Sequence, residues 1–446
     1  MSRVGWKSHA VYMLFLCIAL AMAVLSACGD SSVADADEPT SSLQSSSSNK
    51  KSSSSKIAYP ESFKPNDKEY PYANIPRIVI YTENQQKIED RETEIPAKLQ
   101  IWGKKEAESE ILDLTIRGRG NSSWGMQKKC YKIEFDKKQS MLGMPKDKDW
   151  ALIANYTDKS LMRNFISYRL SAALNAYYAP RCEFAELYLN GEYLGVYLLT
   201  ETIKIGKNRV NIPESEDSYL VEFDAKYRDG EQVFFSDVLT VNGTGKAFRV
   251  HEPKNATKAV LDTIQSHVQN FEKYLKSIKT GKDNNVEEWI DLEESIKHYW
   301  AQEFTRNPDA RFYTSVYFTW IKGEKIKMGP VWDFDLAFGN HINESFNGVD
   351  NWFLRVHWYK YLFNDSVHKE LAQKKWIENQ HIFKSVLDSI SDISVKLNKA
   401  AQNNFKRWNI MKKSSEWYKP YESYSEAVDD LKKWIKQRMR WIESQE

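Results

Sequence analysis

Gly329-Pro330-Val331-Trp332-Asp333-Phe334-Asp335-Leu336-Ala337-Phe338-Gly339 is an apolar, aromatic segment that carries two carboxylates two residues apart. Two strand-like runs precede it, Val316 to Ile321 and Lys325 to Met328, which face each other across Lys322-Gly323 as a small hairpin. Carboxylates in such surroundings are costly to bury unless something cationic meets them. Helix capping or ion pairing is one reading of the pair. A divalent metal is the other, because magnesium and calcium take hard oxygen ligands. Asp309 lies one hairpin upstream, after Asn307-Pro308. A strand-turn-strand connection can bring it into the same cleft, leaving one carboxylate for a base and others for metal.

Outward from this hairpin the second half of the chain reads as mostly helical, with amphipathic stretches near 257 to 277, 286 to 305, 368 to 400 and 424 to 443. Strand-like runs dominate the first half: Arg77 to Tyr81, Leu112 to Ile116, Tyr131 to Phe135, Trp150 to Ile153, Phe184 to Leu189 and Tyr193 to Leu199. The last two flank Asn190-Gly191, a strong hairpin signal. One helix interrupts them, Leu161 to Leu174, with Asp158 placed to cap it. Strands with one helix, then helices, predict an α+β molecule with a sheet-rich part followed by a helix-rich part.

Between two of the strands lies Arg117-Gly118-Arg119-Gly120-Asn121-Ser122-Ser123-Trp124-Gly125. Its glycines free backbone N–H groups and its arginines add charge, the composition of an anion cradle, although glycine-rich turns between strands are common. Lys128, Lys129 and Lys132 follow, one of which can reach a phosphate if they are not ordinary surface lysines. Arg163-Asn164 opens the helix, with capping of its own first turn as the plain reading. Glu201 ends the second strand of the Asn-Gly hairpin; many strands simply end on a polar residue, and a kinase's small lobe also passes into its hinge this way. Glu222 and Asp224 share one face of the alternating run Tyr219 to Asp224, for which a solvated face is the favoured reading.

Glycine-rich loop, strand with lysines, helix, hairpin ending at Glu201, then an aspartate, a hairpin and an acidic motif: this is the order of parts in a protein kinase. Four stretches resemble the CotH family: Ile116 to Trp124, Trp150 to Asn164, Leu189 to Glu201, and Trp332 to Gly339. The resemblance spans most of residues 75 to 445. It implies an atypical protein-kinase-like fold that binds ATP with Mg²⁺, or Mn²⁺ or Ca²⁺, and phosphorylates protein. Asp309 then matches the catalytic aspartate, and the Asp333/Asp335 pair matches the metal motif, with Asp333 preferred as ligand and as part of the catalytic set. The nucleotide-contacting candidates are Arg117, Arg119 and Asn121 of the loop, Lys129 or Lys132, and Glu201. Thr314 departs from the pattern, standing five residues after Asp309 where a kinase-like loop has asparagine for a second metal.

The ends of the chain speak to location. Arg3 and Lys7 precede an apolar run, Val11 to Val24, and then Leu25-Ser26-Ala27-Cys28. At about 14 residues the run is short for a membrane span. The order is that of a signal peptide over residues 1–27 ending in a lipobox, with an ordinary cleaved signal or an uncleaved anchor as alternatives. A lipidated Cys28 would fix the chain to a membrane without crossing it. Residues 28–68 carry serine runs at Ser45 to Ser48 and Ser52 to Ser55, a composition that cannot bury enough apolar surface to order itself and so predicts a tether. Residues 69–446 are read as one domain, with an N-lobe over about 75–201 and a C-lobe over about 202–446. Gly29 after Cys28 hints at the outer membrane or the cell surface.

With 63 Lys+Arg against 61 Asp+Glu, net charge nominates no nucleic-acid partner. Cys130 and Cys182 are left as a possible disulfide or as two buried thiols, and no Cys-x-x-Cys or histidine spacing suggests zinc. Two function classes follow: a metal-dependent phosphotransferase acting from ATP on a surface or secreted protein, or a non-catalytic surface module that binds a protein or polysaccharide.

Overall fold

Tyr131, Ile133 and Phe135 are buried while Lys132 and Glu134 between them stay half-buried, so this run forms the half-covered strand that its alternation predicts. The computed structural model describes residues 58–446 apart from 242, 416, 417 and 446, so the signal-like segment, Cys28 and the serine runs lie outside the described residues. Seven strands close into a barrel: β1 (Arg77–Thr82), β2 (Ile95–Trp102), β3 (Leu112–Arg119), β4 (Cys130–Gln139), β5 (Asp147–Ile153), β6 (Cys182–Leu189) and β7 (Glu192–Glu201). Their order is β1-β2-β3-β4-β5-β7-β6, antiparallel except where β1 meets β6. Closure leaves no free edge. Ile78, Leu99, Ile116, Ile133, Trp150 and Leu199 fill the interior. Asn190 and Gly191 both take positive φ, 51° and 82°, as a two-residue hairpin requires. The Asn190 side chain also accepts the Thr82 N–H at 2.9 Å, which ties the turn to the end of β1.

The helical stretches expected in the second half are present, at Lys258–Ser277, Leu292–Thr305, Ser366–Arg407 and Tyr424–Glu443, but they are not all of it. It carries a five-stranded antiparallel sheet built from β8 (Ser218–Phe223), β9 (Val233–Val241), β10 (Thr244–Glu252), β11 (Val316–Ile321) and β12 (Lys327–Val331), in the order β12-β11-β8-β10-β9. The β9–β10 hairpin escapes the sequence reading because polar residues interrupt its apolar pattern, although Gly243 stands between the two strands. β12 lies later than expected and runs straight into Trp332-Asp333.

Among the described residues seven helices accompany the strands: α1 (Arg163–Ala173), α2 (Lys258–Ser277), α3 (Leu292–Thr305), α4 (Glu344–Asn347), α5 (His357–Leu362), α6 (Ser366–Arg407) and α7 (Tyr424–Glu443). Side chains of Thr257, Asp291, Asp365 and Ser423 accept backbone N–H groups at the starts of α2, α3, α6 and α7. Asp158 caps α1 from outside its first turn: its carboxylate accepts the Arg163 N–H at 2.8 Å and pairs with the buried Arg163 guanidinium at 2.5 Å. None of the described helices is long and apolar enough to cross a membrane.

The aromatic-rich composition is explained by the second core. Trp358 of α5 packs against Phe223, Phe271 and Phe318 with ring centroids 4.9 to 5.3 Å apart. That core also takes in α1 and the outward faces of β6 and β7, through Phe165, Phe184, Val196 and Leu198. Cys130 and Cys182 are both buried free thiols, so the disulfide alternative is not realised.

Candidate active site

The segment after β12 is held from three directions. Asp333 adopts a left-handed backbone, φ 62°, sparsely populated for a residue with a Cβ. Its carbonyl accepts the Asn307 side chain at 3.0 Å, just beyond α3. The next N–H, of Phe334, donates to Asn164 Oδ1 at 2.7 Å, and the Ala337 carbonyl accepts Arg163 Nε at 3.0 Å, both from the start of α1. Arg163-Asn164 therefore clamps the acidic segment and does not cap its own helix. Asn340 closes the turn by donating to the carbonyls of Asp335 and Thr157 at 2.7 and 3.0 Å. Gly339 is required here, since a Cβ at that position would lie 2.3 Å from the Trp434 ring.

Asp309 reaches the same place from the end of α3. Arg306 turns the chain out of the helix in the left-handed region, and Asn307 Oδ1 accepts the Asp309 N–H at 3.3 Å. Asp309, Asp333 and Asp335 are each partly accessible yet crowded by protein. Burial first, and then mutual repulsion, pushes all three carboxyls up: Asp309 to about 6, with Asp335 and Glu222 opposing its charge, and Asp333 to about 6, opposed chiefly by Asp309. Asp335 rises to about 7, opposed by Asp333, while a 2.6 Å hydrogen bond from Thr157 Oγ1 partly offsets the rise. Lys226 acts against the rise at all three, and Arg119 at Asp333.

Of the sequence candidates, Arg119 alone among the cations joins this group, its guanidinium 5.1 Å over the Trp332 ring beside Asp333. Arg117 turns away to the Arg91 carbonyl, 2.5 Å, and Glu94, 3.5 Å. Asn121 accepts a 3.3 Å bond from Arg91. Lys129 donates to the Trp124 carbonyl and sits 5.1 Å over its ring. Lys132 lies between Glu134 and Asp149 at 2.6 and 2.8 Å. The Glu201 carboxylate is fully buried and taken up by Arg181, Arg209 and Tyr178 at 2.8, 2.6 and 3.1 Å. Lys128 is buried too, donating to Ala154 O at 2.7 Å, to Val196 O and to Asn404 Oδ1 at 2.9 Å.

Glu222 and Asp224 correct the expectation of a solvated face: both are buried, because β8 is a central strand covered on both sides. Glu222 accepts the Ser315 N–H at 2.9 Å and meets His251 at 2.7 Å. Asp224 accepts the Thr314 hydroxyl at 3.0 Å and the Lys226 N–H at 2.8 Å. Thr314 is thus spent on Asp224. Sequence reading missed Lys226 and Thr157, and the acids two and four residues before Lys226 were the only signal near it.

The donor chemistry suits a divalent cation, whose charge would relieve the repulsion that raises these carboxyls. Among the described residues no three His, Cys, Asp or Glu side chains already form a metal cage. Magnesium commonly needs no such cage, being held by one or two carboxylates together with substrate phosphates and water. A separate depression of about 410 Å³, lined by Glu108, Ser109, Gln139 and Leu142 among others, opens between the β2–β3 and β4–β5 connections and contains none of these acids.

A curated relative, the inner spore coat protein H of Bacillus subtilis (strain 168), is 25% identical over 254 residues, 56% of this chain and 64% of that protein. The chain therefore spans somewhat less than two thirds of the relative's length. The family model described as CotH kinase protein matches residues 116–442, from the strand that enters the glycine-rich loop through both acidic segments to the last helix, and the chain belongs to that family.

Proposed function

We propose that this protein is a secreted, lipid-anchored phosphotransferase of atypical kinase type, moving a phosphoryl group from ATP to a surface or secreted protein. The observation that carries the reading is the convergence of Asp309, Asp333 and Asp335, with Arg119 of the glycine-rich loop beside Asp333. Asp333 and Asp335 are the residues that would hold Mg²⁺ or Mn²⁺. When bound, the ion would neutralise charge on the phosphate chain and align it for displacement. Asp309, raised to about 6, is suited to take the proton of an acceptor hydroxyl near neutral pH. Arg119 offers charge-assisted donors to phosphate oxygens. Thr157 and Asn164 keep the acidic segment in place, so that little reorganisation accompanies transfer. The lipobox at Cys28 supports anchoring in the envelope, and the serine-rich stretch supports a tether.

A thermal-shift titration of the full chain with ATP and Mg²⁺ or Mn²⁺, beside Asp333→Ala, tests this. Saturation at 100 times the dissociation constant adds about 2.7 kcal/mol. A metal-dependent shift that the variant lacks is the expected result; no shift in the wild type sinks the kinase reading.

One observation favours a second reading, a catalytically inactive surface module that binds a protein or polysaccharide. The Thr314 hydroxyl is committed to Asp224, so the position that in a kinase-like loop serves a second metal is closed to it. Phosphate transfer from labelled ATP, measured directly, separates the two.

A further inference from the structure

We propose that Lys226, on the connection between β8 and β9, is the cation that holds the donor's phosphate chain over Asp309 and Asp333, opposite Arg119 of the glycine-rich loop. The inference rests on the phosphotransfer reading and names the residue that such a reading lacks. The lysines that follow the glycine-rich loop in sequence are engaged elsewhere: Lys128 with two carbonyls and Asn404, Lys129 with the Trp124 carbonyl, Lys132 with Glu134 and Asp149. Lys226 is not. Its ammonium meets no carboxylate at ion-pair distance among the described residues; its contacts are a long 3.4 Å bond to Ser122 Oγ and the Tyr313 ring at 5.5 Å.

Those two contacts define where it stands. Ser122 belongs to the glycine-rich loop, and Tyr313 lies four residues beyond Asp309, so the ammonium spans the gap between the anion cradle and the acids. Its backbone is fixed: the Lys226 N–H donates to Asp224 Oδ1 at 2.8 Å, the same oxygen that takes the Thr314 hydroxyl, and the Ala225 N–H donates to the Tyr313 carbonyl at 2.8 Å. The end of β8 is thereby stitched to the segment carrying Asp309. The ammonium's field reaches Asp309, Asp333 and Asp335 alike. A flexible four-carbon stem ending in three donors, held by one weak bond, can release Ser122 for a phosphate oxygen at little cost. The ligand class is a polyphosphate chain, either that of a nucleoside triphosphate or an inorganic one.

The test is calorimetric titration of the full chain with ATP and with inorganic tripolyphosphate, each with Mg²⁺ and with EDTA, in wild type, K226M, K226R and K322M. K322M, on the distant β11–β12 turn, controls for net charge. The expected result is a loss of about tenfold or more for both ligands in K226M, retained binding in K226R, and no change in K322M. A loss confined to ATP overturns a phosphate contact. Wild-type binding that K226M matches overturns the assignment and leaves the phosphotransfer reading standing, whereas a wild type that binds neither ligand overturns both. Reductive methylation of the wild-type chain, read by mass spectrometry, asks the same without a variant. Protection of Lys226 by tripolyphosphate supports the contact, and unchanged labelling overturns it.

Discussion

Asp309, Asp333 and Asp335 place like charges in a crowded cleft, and the sign of the consequence for stability follows from their raised carboxyls. An aspartate whose folded pKa rises from 3.8 to about 6 or 7 stabilises the fold in its protonated form. That contribution is fully present below about 3.8 and is lost as pH climbs through 6 to 7. Asp333→Asn should therefore raise metal-free stability at pH 7.5 by on the order of 2 kcal/mol and flatten its pH dependence between pH 4 and 7, as read by urea unfolding. A variant less stable than wild type would mean that another cation already neutralises the site. Asp309→Asn should cost about 10²- to 10⁴-fold in transfer to a protein acceptor without lowering the unfolding temperature. These acids were legible in the sequence because two sit in one apolar, aromatic stretch and the third follows a turn signal. Lys226 was not, since its role depends on a strand from elsewhere in the chain placing it over them, and Glu222 and Asp224 just before it were the only signal nearby.

At the scale of elements, α6 does what the amphipathic pattern near 368 to 400 could not foretell: its last turns grip the barrel. Asn404 Oδ1 accepts both the Val196 N–H at 3.1 Å and the Lys128 ammonium at 2.9 Å, and Asn403 donates to Glu186 at 3.1 Å. Asn404→Ala leaves the buried Val196 N–H without its acceptor and takes one of three acceptors from Lys128, and should cost about 1–3 kcal/mol in urea unfolding. Lys128 itself is pushed down to about 7 by burial, from an ordinary 10.5. Between those values the unfolded chain binds more protons, so wild-type stability gains from this residue as pH rises from 7 toward 10.5. Lys128→Met should lack that gain, with denaturant midpoints at pH 7 and 9.5 as the measurement. The elements missed by sequence reading share a cause. Pro96 disguises the start of β2, and alternating polar residues disguise β9, whereas β4, β6 and β7 carry patterns that their burial bears out.

Over the whole molecule, the α+β class was readable from the order of runs, but barrel closure was not. It depends on β1 meeting β6 in parallel more than 100 residues on, Arg77 beside Glu186, a pairing with no local signature. The same non-locality bears on whether the barrel is a separate body. Phe165 and Tyr168 of α1, with Phe184, Val196 and Leu198 on the outer faces of β6 and β7, are buried within the core that the second sheet and later helices complete. Cut after Glu201, a fragment of residues 58–201 would leave these side chains in water, each forfeiting about 1.5–3 kcal/mol of burial. Five such losses rival the 5–15 kcal/mol by which an ordinary domain is stable. Loss of α6 would in addition leave the Val196 N–H without its acceptor and remove one of the three acceptors of Lys128. The fragment should therefore bind a hydrophobic dye and melt without a cooperative transition, while the full chain unfolds in one step seen alike by tryptophan fluorescence and far-ultraviolet dichroism. A soluble fragment with a sharp melt would make the barrel a domain in its own right. The cleft between Arg119 and Asp333 would then lie between two bodies free to move, and the long Lys226–Ser122 bond would be the first contact expected to open.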